Sequence, residues 1–122
     1  LSSSSAASDV YKRQTEYDTR DQAIAEVRKQ WELVCAATAI HYLNGAVENI
    51  ADDYARNHEL SEAFAFIQSL QYNERKVISS SQIDEVKNLI GNNLYQVSAD
   101  DLASASALLA QIYGLDDIKS SL

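Results

Sequence analysis

The longest run of apolar and small residues is Trp31–Ile50, WELVCAATAIHYLNGAVENI, broken only by Glu32, Thr38, His41, Asn44, Glu48 and Asn49. With Arg20–Gln30 before it and Ala51–Arg56 after it, the stretch has no proline and a single glycine, Gly45. A helix that is apolar nearly all round must be covered nearly all round, so the pattern predicts a long central helix wrapped by others. Its start is expected at Thr19, which with Gln22 fits a capping box. Ile24, Val27, Trp31, Val34 and Thr38 follow at spacings of three and four, the signature of one helix face. Ala36, Ile40, Leu43, Val47, Ile50 and Tyr54 make a second, offset face. Two faces imply two sets of neighbours, which Ala36, Ala37, Ala39, Gly45 and Ala46 are small enough to admit closely. Trp31 is the largest expected anchor, and its truncation from a buried site would cost about 3–5 kcal/mol.

The remaining pattern is shorter and better punctuated. Asp52–His58 is polar enough for an exposed turn or a short break. Leu60, Phe64, Ile67 and Leu70 form the core stripe of a second helix, widened by Ala63 and Phe66, and Asn73–Lys76 closes it in a charged loop. Val77–Ser81 reads as extended, with a serine capping the next helix. Ser81 is the favoured cap, because Asp84 then stands three residues on. Ile83, Val86, Leu89 and Ile90 give the third helix its face, and Gly91 supplies a natural stop. After a connector over Asn92–Val97, Ser98 and Asp101 form another capping pair. Leu102, Ala105, Leu109 and Ile112 line the fourth helix, and Gly114 ends it. Leu115–Leu122 is at most one turn and a tail. The expected fold is all-α, a bundle of about four helices.

Composition changes this picture mainly at the N-terminus. Ser4–Gln14, SSAASDVYKRQ, resembles the in-frame translation of a transposase sequencing adaptor, so residues 1–14 are expected to be a non-native, disordered tail. Residues 15–122 are then the domain, the C-terminal part of a longer helical protein recovered from an environmental library. The absence of methionine agrees with that expectation. The formal net charge is −8, and no basic stripe offsets it, so nucleic acid is not an expected partner. No apolar run approaches the ~20 residues of a membrane span. The single cysteine, Cys35, sits in VCAATA with no adjacent cation, which reads as an inert buried thiol.

No metallopeptidase, CxxC, phosphate-loop or serine-elbow motif occurs, and the three glycines stand too far apart to cradle a phosphate. What remains is a polar thread. Thr38, His41, Asn44 and Glu48 share a helix face, as do His58 and Glu62. Antiparallel packing would let His41, Glu48, His58 and Glu62 converge as ligands for a divalent metal, iron or zinc. The alternative is structural. His41 would be a core histidine satisfied by Thr38 and Asn44, and His58–Glu62 a solvated pair. The scattered tyrosines, Tyr42, Tyr54, Tyr72, Tyr95 and Tyr113, suggest core edges, not a stacking platform.

Three pieces carry a family resemblance: Trp31-Glu32, Ala39-Ile40-His41-Tyr42-Leu43-Asn44 and His58-Glu59-Leu60-Ser61-Glu62-Ala63. Together with the closing helix they resemble an uncharacterised family of helical Gram-negative lipoproteins, a domain of unknown function. HELSEAFAF and SLQYN also resemble imelysin-like proteins, although the G-x-H-x-x-E of that group is absent. These resemblances imply a periplasmic or outer-membrane-surface location and a non-catalytic domain that binds a small ligand or surface partner protein in nutrient uptake, iron or haem included. They also imply that a missing N-terminal part of the same protein is a partner. The alternatives are a metal-dependent enzyme of imelysin-like type built on the His/Glu cluster, and a purely structural segment.

Overall fold

The computed structural model describes residues 3–122. Helix α1 covers Ser3–Glu48, α2 Asp53–Ser69, α3 Ser80–Ile90 and α4 Ala99–Tyr113, with short 3₁₀ turns at Leu70–Tyr72 and Lys119–Ser121. No strand occurs among the described residues, so the fold is the expected all-α bundle of four helices. The chain divides into two units, residues up to Trp31 and residues Glu32–Leu122.

In the first unit the helix is exposed almost throughout. Residues 3–14, expected to be disordered, are helical from Ser3. The segment has no proline or glycine, and side chains bridge successive turns: Thr15 Oγ1 donates back to the Tyr11 carbonyl at 3.1 Å and Gln14 Nε2 forward to Asp18 Oδ1 at 3.2 Å. Thr19 therefore caps nothing. It lies mid-helix, its hydroxyl donating to the Thr15 carbonyl at 2.9 Å.

The second unit holds the core. Here α1 contributes Cys35, Ala36, Ala39, Ile40, Leu43 and Ala46; Ala36, Ile40 and Leu43 belong to the expected offset face, whose Val47 and Ile50 are partly buried. The other expected face is solvent-facing: Ile24, Val27, Trp31 and Val34 are all exposed, Trp31 at 69%. The two faces stand nearly half a turn apart at 100° per residue, and the bundle covers only one. Trp31 is thus no core anchor, and Tyr54, assigned to the second face, is 87% exposed because the helix breaks before it.

That break falls at Asn49–Asp52. Asp52 caps α2, its carboxylate accepting from the Tyr54 and Ala55 N–H groups at 3.0 and 3.1 Å, which satisfies donors a helix start leaves free. Leu60, Ile67 and Leu70 of the expected stripe are buried together with Ala63, while Phe64, expected in that stripe, is only partly buried and packs at the edge with Phe66. Tyr42 stacks on Phe66, ring centroids 5.9 Å apart. The α1–α2 approach is close at Gly45, where an added Cβ would stand 3.0 Å from Glu59 Oε2.

Helix α3 begins two residues earlier than expected. Ser79, not Ser81, is its cap, and Gln82 closes a reciprocal capping box by accepting from the Ser79 N–H at 2.9 Å. Ser81 only shares a hydroxyl contact with Ser79. Starting there turns Ile83, Val86 and Ile90 inward, while Ile78, in the extended connector, is fully buried. Gly91 ends α3 at φ 79°, ψ −177°, a region closed to residues with a Cβ. Ser98 caps α4 as expected, accepting from the Asp101 N–H at 3.0 Å. Gly114 ends it in the left-handed conformation. The Leu115 N–H then reaches back to the Ala110 carbonyl at 2.8 Å, the longer bond of a Schellman stop.

Candidate functional site

The expected metal ligands do not assemble. His41 and Glu48 are exposed on α1, His58 is exposed on α2, and Glu62 is half-buried. Among the described residues no group of three or more His, Cys, Asp or Glu side chains is arranged to hold a metal ion. His41 is also not the core histidine of the alternative reading: it is exposed, its ring edge-on to Tyr42 at 5.4 Å. Thr38 Oγ1 donates to the Val34 carbonyl at 2.8 Å. Of the polar triad Thr38, His41 and Asn44, only Asn44 enters a network that links separate parts of the bundle.

Asn44 joins three segments. Its Nδ2 donates to the Lys119 carbonyl at 2.7 Å, and its Oδ1 accepts from the buried Ser106 hydroxyl at 3.2 Å. One side chain of α1 thereby holds α4 and the C-terminal turn. The three-and-four spacing showed that Asn44 shares a face with His41; it could not show that its partners lie more than sixty positions away.

The most concentrated chemistry gathers on Glu32, which is 4% exposed. Its Oε1 accepts from the Tyr113 hydroxyl at 2.7 Å and from the Val77 N–H at 2.8 Å. Its Oε2 accepts from Asn73 Nδ2 at 2.6 Å. Asn73 is itself fixed, because its Oδ1 accepts from the Arg75 N–H at 3.1 Å in a tight local turn. Burying a carboxylate is costly unless hydrogen bonds to the charged form compensate, and here three short donors do so. The phenol of Tyr113 is pushed well above the ordinary tyrosine range, chiefly by burial, then by its hydrogen bond to Glu32 and the charge of that carboxylate, with Cys35 adding to the shift. A hydrogen bond from the Ile78 backbone pulls the other way. Tyr113 is therefore held as a neutral donor. Cys35 beside it is a buried free thiol, as its apolar surroundings suggested.

Arg56 is the matching feature at the other end of α2. Though 5% exposed, it donates through Nη1 to the Ile50 carbonyl at 2.7 Å and through Nε to the Leu94 carbonyl at 3.2 Å. Its Nη2 pairs with Asp53 Oδ1 at 2.7 Å. Sequence reasoning placed Arg56 in an exposed turn and passed over Glu32 as an interruption of an apolar run. A signal existed for Glu32, since a lone acid one turn ahead of Cys35-Ala36 stands on the core face.

An open cleft of about 440 Å³ is lined by Ser81, Asp84, Glu85, Asn88, Leu89 and Asp101. Its carboxylates form a solvated rim, and Asp101 is engaged by the Ser98 hydroxyl at 2.7 Å. By contrast, each buried side-chain nitrogen or oxygen among the described residues has a hydrogen-bond partner. The polar sites of the interior are thus closed clasps that tie helices together.

Four helices around an apolar core, tied by the polar contacts of Glu32, Asn44 and Arg56, define a helical-bundle domain. The sequence profile of the domain of unknown function DUF4856 matches residues 11–116, and the chain belongs to that family. No curated protein and no solved structure is similar to it. The matched span includes Trp31-Glu32, so the clasp carboxylate lies inside the family domain, and it begins within the segment read as adaptor-derived.

Proposed function

We propose that this chain is a non-catalytic helical domain that binds a partner through the exposed apolar stripe of α1. One observation carries the reading: Val27 and Trp31 are 67% and 69% exposed and Ile24 42%, one turn apart on one face of α1. Contiguous apolar surface of this kind marks interaction sites, and an uncovered helix is only marginally stable in water. The setting belongs to the proposal and rests on resemblance: an exported lipoprotein of the periplasm or outer-membrane surface, serving nutrient uptake.

The test is site-specific photocrosslinking in a Gram-negative host. A photoreactive residue at position 27 is expected to give a discrete adduct, and the same residue at position 22 or 29, on the outer face, is expected to give none. Equal labelling at all three positions, or none at 27, would remove the stripe from consideration as a binding surface.

A further inference from the structure

The exposed stripe has a seven-residue period. Tyr17, Ile24 and Trp31 are seven apart, and Arg20 and Val27 fall between them at the complementary spacing of three and four. These are the a and d positions of a heptad, the pattern of a helix that packs against another helix. Tyr17, Arg20, Ile24, Val27 and Trp31 are all exposed.

Charge then decides between orientations. A parallel pair would stack Arg20 on Arg20 of the second copy and set Glu16 beside Asp21 of the second copy, since g meets the next e position. Both contacts repel. In an antiparallel pair a positions face d positions. With Ile24 opposite Val27 of the second copy, Arg20 falls opposite Trp31 of the second copy, and Asp21 falls opposite Arg28 of the second copy. Guanidinium over indole is the strongest of the cation–aromatic contacts, and Asp21–Arg28 is attractive. Sliding one heptad in one direction would bring Arg28 onto Arg28, and in the other Asp21 onto Asp21. One register is thus complementary and its neighbours are not.

From this we infer that two copies of the chain associate through Tyr17–Trp31 as an antiparallel helix pair, with the two-fold axis between Ala25 and Glu26. The inference rests on the proposed reading of α1 as a binding surface and names its occupant. In the single chain Arg20 Nη2 lies 2.8 Å from Asp21 Oδ1, and its guanidinium carbon 5.0 Å from the Tyr17 ring centre. Pairing exchanges these neighbours for equivalent ones: Trp31 of the second copy receives Arg20, and Asp21 is released to Arg28 of the second copy. Each contact occurs twice, as an isologous interface requires.

Analytical ultracentrifugation of the full chain over a range of concentrations tests this. The expected result is a monomer–dimer equilibrium that weakens with salt. Val27→Glu should abolish the dimer. Arg28→Glu and Asp21→Arg should each raise the dissociation constant roughly tenfold or more, because two attractive pairs become two repulsive ones. The double variant Asp21→Arg/Arg28→Asp should restore dimerisation. Residues 21 and 28 are two turns apart on their own helix, so that rescue has no intramolecular route. Circular dichroism establishes that each variant keeps its helix content, and the rescue keeps the test decisive if a single variant does not. A chain that stays monomeric, a dimer indifferent to Val27→Glu, or a double variant that remains monomeric would overturn the inference. The crosslinking experiment separates the two readings: an adduct at position 27 to a different protein, with a monomeric purified chain, refutes self-association and leaves the binding surface standing.

Discussion

The Tyr113 hydroxyl donates to Glu32 Oε1 at 2.7 Å, joining the end of α4 to a buried carboxylate on α1 across 81 positions of sequence. Asn73 and the Val77 N–H complete the set, so one acid fixes α1, the α2–α3 connector and α4. Replacing it should be about as disruptive as truncating a buried apolar residue of its size. Glu32→Ala leaves three inward donors without an acceptor, and a loss of about 2–4 kcal/mol is expected. Glu32→Gln retains one acceptor oxygen and should lose less. Urea denaturation followed by circular dichroism measures both, and equal, negligible losses would contradict the clasp.

The raised pKa of Tyr113 has a defined sign. A phenol whose folded-state pKa lies above its unfolded value near 10 stabilises the fold fully below pH ~10. Above that pH the unfolded chain releases the proton while the folded chain keeps it, so stability falls as pH rises. Tyr113→Phe should lower stability at neutral pH by about 1–2 kcal/mol, through the lost donor to Glu32, and should flatten the alkaline decline. Denaturation midpoints from pH 8 to 11 for both proteins provide the comparison.

Asn44 anchors the C-terminal turn to α1 through the Lys119 carbonyl. Asn44→Ala should release that turn locally, raising amide exchange over residues 115–122 with a global loss of about 1–2 kcal/mol. Asn44→Asp should be worse than alanine, because it sets a carboxylate against a carbonyl oxygen. Hydrogen-exchange mass spectrometry distinguishes local release from global destabilisation.

Trp31 and Ile40 make a paired test of which α1 face is the core. Ile40→Ala, at a fully buried position, should cost about 2–5 kcal/mol. Trp31→Ala should change the stability of the dilute chain by no more than about 0.5 kcal/mol. A large loss for Trp31 at low concentration would mean that the bundle buries it after all.

The two serines before α3 offer a finer contrast. Ser79→Ala removes the hydroxyl that accepts from the Gln82 N–H at 3.1 Å and should cost about 1 kcal/mol. Ser81→Ala should fall within about 0.5 kcal/mol. Thermal melts of the two variants would reverse in order if Ser81 were the cap.

Local rules determined a good deal here. Period and punctuation gave the four helices, the core stripes of α2, α3 and α4, the Ser98 cap and the stops at Gly91 and Gly114, because each depends on side chains and backbone groups within a few residues of one another. They also gave the Ile24, Val27, Trp31 and Val34 face of α1, but with the wrong destiny. What the bundle alone decided was which of two apolar faces on α1 would be covered, since both satisfy a helical period and only packing partners distinguish them. Tertiary structure likewise chose Asn44 over His41 as the polar hub, drew Arg56 inward from an apparent turn, and made Glu32 the keystone. Those outcomes depend on donors and carbonyls that meet from distant segments, and no spacing along the chain encodes where they meet. The metal set failed for the same reason: His41, Glu48, His58 and Glu62 share helix faces pairwise, but the faces that pack are the ones carrying Ile40, Leu43, Leu60 and Ala63, which leaves both histidines in solvent.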